Sequence, residues 1–210
     1  MSEVLTAGPV SARRALTRDR LMAAAVSVFA ERGIDGASVE EVCERAGFTR
    51  GAFYSNFADK DALVLALIIQ GIQTGYAAAE QAIVWSEEAP GDLTPAERVA
   101  HVLTRFEAAE RGERAQVLVQ QEMLLHAARQ PALREPYLRF VEASGEQLTA
   151  LIAQALRSVQ LEFTLPFGQA LELLIATHNH VQMQALFTGR PDFTVLRSLI
   201  MAITRATANP

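Results

Sequence analysis

Cysteine is nearly missing from these 210 residues. Cys43 stands alone, which excludes an intrachain disulfide framework, and four scattered histidines offer no spacing for a structural zinc site. A reducing cytoplasm fits that composition. Basic excess is missing too: 19 Lys plus Arg face 24 Asp plus Glu, a formal charge of −5. Bulk charge therefore gives no sign of nucleic acid, although an acidic average can hide a locally basic face. The longest apolar run, "ALVLALII" at 62–69, is far short of the roughly 20 residues that cross a bilayer and reads as a buried helix; no membrane partner is expected. The first sixteen residues, "MSEVLTAGPVSARRAL", lack a continuous apolar stretch and read as a flexible arm, not a signal peptide. Arg13-Arg14 is not followed by the apolar run that a twin-arginine signal needs. Strand-like alternation is almost absent, and so are solenoid repeats. No Glu-x-x-His pair, activated-nucleophile signature or phosphate-cradling glycine loop is present, so neither an enzyme, a cofactor nor a metal is expected.

Half of the residues are apolar, enough for a substantial core. Their three-and-four spacing recurs from Thr17 to Ala208 and predicts an all-α protein of about nine helices. The first helix is expected over Thr17 to Arg32, with Leu21, Ala24, Ala25, Val28 and Phe29 on its buried face and Gly33 as a left-handed stop. Ser38-Val39-Glu40-Glu41 is a capping box that opens a second, short helix ending at Gly47. Thr49 caps a third, to about Asn56, and Asp59 a fourth starting at Lys60. Longer helices follow over 60–88, 94–110, 112–129, 131–160, 166–188 and 192–208. Thr94-Pro95 and Gln130-Pro131 put proline at the first helical position, where its missing N–H matters least.

Helix, glycine turn, helix, backed by a supporting helix, is the layout of a helix-turn-helix DNA-binding unit. In "FTRGAFYSNF" (48–57), Phe48, Ala52, Phe53 and Phe57 fall toward the first two helices, leaving Arg50, Gly51, Tyr54, Ser55 and Asn56 outward or on the rim. Gly51 would let the backbone approach bases closely, Arg50 can reach guanine or phosphate, and Tyr54 can donate to phosphate.

The stretch "LTRDRLMAAAVSVFAERGIDGASVEEVCERAGFTRGAFYSNFADKDAL" strongly resembles the N-terminal domain of the TetR family of bacterial transcriptional regulators. The match covers under a quarter of the chain and is dense; the later helices agree only in number and length. The resemblance implies a flexible arm at 1–16, a helix-turn-helix domain at 17–62 and a ligand-binding and dimerisation domain at 63–210. It implies a homodimer on double-stranded DNA, each copy laying its third helix in the major groove of a palindromic operator, and a small-molecule effector. Ser38 and Thr49 match positions that bond phosphates as helix caps. Arg50, Gly51 and Tyr54, with Ser55 and Asn56 beside them, match the recognition helix, and Lys60 matches a phosphate-contacting lysine. Asn56 departs from the histidine often found there. Residues 13–60 carry eight basic and seven acidic side chains, so phosphate binding must rest on a few placed groups. Arg13 and Arg14 are either minor-groove or phosphate contacts or ordinary solubilising charge.

In the C-terminal part, Phe106, Gln120, Met123, Phe140, His178 and Gln182 are candidates for an effector pocket, although Phe106, Met123 and Phe140, taken one by one, read more readily as core than as ligand wall. His178 and His180, two apart, lack metal-pair geometry. The last two helices are apolar on more than one face, through Leu173, Leu174, Met183, Leu186, Leu196, Leu199, Ile200 and Ile203, and predict either a four-helix interface between two subunits or a fully internal hairpin. The expected function is a ligand-responsive, cytoplasmic transcriptional repressor; a helical adaptor using the three-helix unit for protein contacts is the alternative.

Overall fold

The computed structural model describes residues 9–109 and 114–207, and their side chains except at 9–11, 79 and 106–109. Nine helices run along the described residues: α1 (Pro9–Arg32), α2 (Val39–Ala46), α3 (Arg50–Tyr54), α4 (Lys60–Glu87), α5 (Pro95–Ala109), α6 (Arg114–Arg129), α7 (Pro131–Ser158), α8 (Phe167–Thr188) and α9 (Thr194–Ile203). Residues 9–16, expected in the arm, extend α1 by two turns. The eight preceding residues lie outside the described ones.

Two strands, β1 (Leu161–Phe163) and β2 (Thr204–Ala206), were not expected. They pair antiparallel, Leu161 opposite Ala206 and Phe163 opposite Thr204. At three residues each they are too short to carry a legible alternation. Gln160 at φ 57° breaks α7 two residues after its end, and the β-branched Thr204 turns extended straight after α9.

The chain divides into two compact units, Met1–Ile69 with Leu118–Tyr137, and Gln70–Val117 with Leu138–Pro210. In the first unit Leu21, Ala25, Phe29, Phe53, Leu63 and Val64 are fully buried and form the centre on which the short helices rest. In the second, Val99, Val159 and Leu161 pack with Leu103, Leu156 and Ile200, while Val181, Phe193 and Leu196 pack with Leu174. The Tyr76 hydroxyl donates to the Ser144 carbonyl at 2.8 Å in its interior. By length and composition alone α4 could cross a membrane, with a mean hydropathy of 1.6. Its run at 62–69 is instead core: Leu63, Val64, Ala66, Leu67 and Ile68 are all buried.

Candidate nucleic-acid interface

The site begins with the sharp stops that end α1 and α2. Gly33 (φ 73°) and Gly47 (φ 72°) take the left-handed conformation that a side chain would strain, and Gly47 N–H returns to the carbonyls of Cys43 and Glu44. Ser38 and Glu41 close the expected capping box: Glu41 N–H donates to Ser38 Oγ at 3.2 Å and Ser38 N–H to Glu41 Oε2 at 2.9 Å. These bonds, backbone first, hold the Glu41 carboxyl below its ordinary pKa. Thr49 Oγ1 accepts from Ala52 N–H at 3.3 Å and starts α3. A five-residue helix cannot hold itself. Phe53 and Phe57, 0% and 3% exposed, anchor it from behind, their rings 5.6 Å apart.

Arginines on α1 add a clamp that sequence reasoning missed. Arg14 donates to Ser55 O at 2.8 Å and Arg18 to Asn56 O at 3.4 Å, placing two cations at the carbonyl end of α3, where the helix dipole favours them. Arg18 also lies over the Phe57 ring at 4.5 Å, and Arg20 over Phe48 at 4.9 Å. The signal was available: 14 and 18 are one helical turn apart, a pairing hidden by starting the helix at Thr17. From the other side, Glu122 of α6 accepts from Ile34 N–H at 3.1 Å. His126 lies between Asp61, at 2.9 Å, and Asp35, at 3.4 Å. That histidine steadies the head of α4.

What faces outward is narrow: Thr49, Arg50, Gly51, Tyr54 and Ser55 are exposed, Tyr54 at 48% with its ring edge-on to Phe53. A Cβ on Gly51 would meet only Thr49 Oγ1, at 3.7 Å, so packing does not demand glycine there. Arg50 is ion-paired with Glu40 at 2.8 Å, and the Tyr54 hydroxyl, then Glu40, favour its charged form. Glu40, another residue missed from sequence, competes with any DNA group for that guanidinium.

The remaining candidates are engaged elsewhere. Ser38 gives its hydroxyl proton to Glu41 at 2.9 Å, Ser55 donates to Ala52 O at 2.8 Å, and Lys60 Nζ donates to Ile34 O at 2.6 Å and Ala37 O at 3.0 Å. Asn56 is the largest departure from its expected outward role. Its amide folds back to donate to Ala52 O at 2.8 Å, and its Oδ1 is buried without a partner, because the chain turns inward at Phe57.

Residues 21–67 match the family model described as bacterial regulatory proteins, tetR family. Over these residues, the helix-turn-helix unit, the chain is similar to TetR-family regulators. The HTH-type transcriptional regulator UidR of Escherichia coli is 37% identical over 54 residues, 26% of this chain and 28% of UidR. The HTH-type transcriptional repressor KstR2 of Mycobacterium tuberculosis is 32% identical over 126 residues, 60% of this chain and 58% of KstR2. The chain thus matches less than two thirds of the length of either relative. The solved structure of the multidrug binding protein EbrR complexed with imidazole superposes with a TM-score of 0.58 at 26% identity, over 91% of this chain and 97% of that one. The shared fold extends well past the matched DNA-binding unit.

Of the effector-pocket candidates, Met123 is buried and Gln120 exposed in the first unit, while Phe140, His178 and Gln182 are half-buried in the second. The Phe106 side chain lies outside the described ones. Burial pushes the His178 imidazole below its ordinary pKa, and its ring stacks on Phe193 at 6.2 Å. None of the described candidates lines the cavity that the second unit contains. An apolar cavity of about 130 Å³ in the second unit is bounded instead by α4, α5, α7, β1, α8 and α9. On α8, Leu173, Ile175, Met183 and Phe187 are exposed, Phe187 at 81%, as are Val195 and Met201 of α9. A hairpin fully internal to one chain would bury them.

Proposed function

We propose that this chain is a cytoplasmic transcriptional repressor of the TetR family. It binds a palindromic operator as a homodimer, is released by a small molecule, and catalyses no reaction. The observation that carries the reading is the Thr49, Arg50, Gly51 and Tyr54 surface of α3, open to solvent while Phe53 and Phe57 lock the same helix from behind. Such a surface suits a major groove: Arg50 bonds guanine or phosphate once it exchanges Glu40 for DNA, Tyr54 and Thr49 donate to phosphates, and Gly51 admits the backbone. Lys60 keeps one N–H for phosphate after serving its two carbonyls.

The exposed apolar faces of α8 and α9 favour a partner copy, since a four-helix seam would cover them. In the dimer the two recognition helices sit in successive major grooves, roughly 34 to 36 Å apart. An effector in the second unit releases DNA only through differential affinity for a conformation that breaks this spacing. KstR2 is a repressor and EbrR a multidrug binding protein, which supports both halves of the reading.

A gel-shift series over genomic fragments tests it. The expected result is salt-sensitive, sequence-selective retardation, weakened about tenfold or more by Tyr54→Phe through loss of one hydrogen bond to a charged group. No retardation across the fragments would overturn the DNA reading in favour of a protein-binding adaptor.

A further inference from the structure

Arg50 is the cation that the exposed face of α3 presents, and it is already held. Its Nη1 lies 2.8 Å from Glu40 Oε1 of α2, its guanidinium carbon lies 5.9 Å from the Tyr54 ring, and the Tyr54 hydroxyl, then Glu40, stabilise its charge. The paired side chains are 61% and 54% exposed. An ion pair so open to water contributes little to folding, and α2 does not need Glu40 for its start, which the Ser38 and Glu41 bonds already secure. What the pair changes is the surface that DNA meets. From Ser38 to Lys60 the chain carries three basic and four acidic side chains. Two of those cations are engaged within the protein, Arg45 with both oxygens of Glu31 at 2.8 Å and Lys60 with the carbonyls of Ile34 and Ala37. Arg50, the most exposed of the three, has a carboxylate standing in front of it.

We propose that Glu40 is a specificity-determining residue: it withholds Arg50 from backbone phosphates and yields it to guanine. The role rests on the DNA-binding reading of α3 and concerns which DNA group Arg50 takes. The two groups differ in charge. A phosphate that takes Arg50 must displace the carboxylate, since two anions would otherwise crowd one cation, and the displaced Glu40 is then left unpaired beside the DNA backbone. A guanine edge is neutral. Its O6 and N7 occupy only two of the five guanidinium N–H groups, so Glu40 can keep its bond while the base is read. The same carboxylate therefore opposes phosphate binding more than guanine binding. Sequence-independent affinity comes from phosphates and sequence preference from base edges, so Glu40 lowers the first and spares the second.

Fluorescence anisotropy of the full chain on two duplexes tests this. One duplex is selected from a random-sequence pool by its binding to this chain, and the other is the same duplex with its sequence shuffled. Glu40→Gln removes the charge and keeps the side chain's length; at an exposed pair it should leave the melting temperature almost unchanged. On the shuffled duplex the variant is expected to gain one phosphate contact. That gain reads as a slope of log K against log salt steeper by about 0.9, and as roughly eightfold tighter binding near about 0.1 M salt. Affinity for the selected duplex should move much less, so the ratio between the two falls several-fold. In an Arg50→Gln background the same change at Glu40 should lose most of its effect on shuffled DNA, because the cation it withholds is gone. An unchanged ratio would overturn the inference and leave Glu40 a bystander. An equal gain in the Arg50→Gln background would also overturn it, making Glu40 a repulsive charge that acts without Arg50. Failure of the unaltered chain to select any duplex would instead remove the DNA-binding reading itself, and this role with it.

Discussion

Lys60→Met would remove an ammonium while keeping an unbranched side chain of similar length, and its consequence can be worked out in advance. Nζ donates to Ile34 O at 2.6 Å and to Ala37 O at 3.0 Å, tying the α1–α2 turn to the first residue of α4. Ile34 and Ala37 are themselves 3% and 4% exposed, so their carbonyls find little water to replace the lysine. Hydrogen bonds to a charged group contribute about 1.5 to 3 kcal/mol each. At a half-buried ammonium, water recovers part of this, and about 2 to 3 kcal/mol for the pair is the expected loss. In urea that is a fall in midpoint of roughly 1 M or more, read by circular dichroism. The same variant, titrated with operator over a salt series below its transition, should lose about 0.9 from the slope of log K against log salt if the third N–H meets one phosphate. A variant that unfolds with the unaltered protein would refute the reasoning that this lysine binds the turn.

Three other outcomes are expected. Gly51→Ala should hold or raise stability by up to about 1 kcal/mol, as alanine replaces glycine in a helix with only a 3.7 Å contact to accommodate, while operator affinity falls; unchanged affinity in a gel shift would remove the close-approach role. His178 has its folded pKa below the ordinary 6.5 because burial disfavours the cation. The unfolded chain therefore binds more protons in that window, and stability is lost as pH falls from 6.5 toward the folded value. Thermal melts of His178→Gln should lack that slope, and an identical pH profile would refute it. Cys43 is 3% exposed, with its thiol pKa raised chiefly by burial, so Ellman's reagent should react only as the protein unfolds; rapid labelling of the native chain would contradict this.

Local chemistry was legible wherever a few neighbouring residues settle the backbone. The Ser38 and Glu41 box, the glycine stops at 33 and 47 and the Thr49 cap all form as the sequence predicts, since each rests on contacts three or four residues apart. The inward turn of Phe53 and Phe57 and the outward turn of Tyr54 followed from helical period alone. Asn56 misled because its position one residue before a buried phenylalanine draws the amide back onto Ala52, a packing consequence that motif matching does not carry.

Sequence alone determined that the chain is helical, where its short helices begin and end, and that it carries a TetR-type reading head, because capping, turn and periodicity signals act within a few residues. Tertiary structure decided which polar groups that head has left to offer. Arg14 and Arg18 reach across some forty residues to α3, and Lys60 is held by carbonyls 23 and 26 residues away. Those pairings depend on three-dimensional proximity between distant segments, which no local pattern encodes.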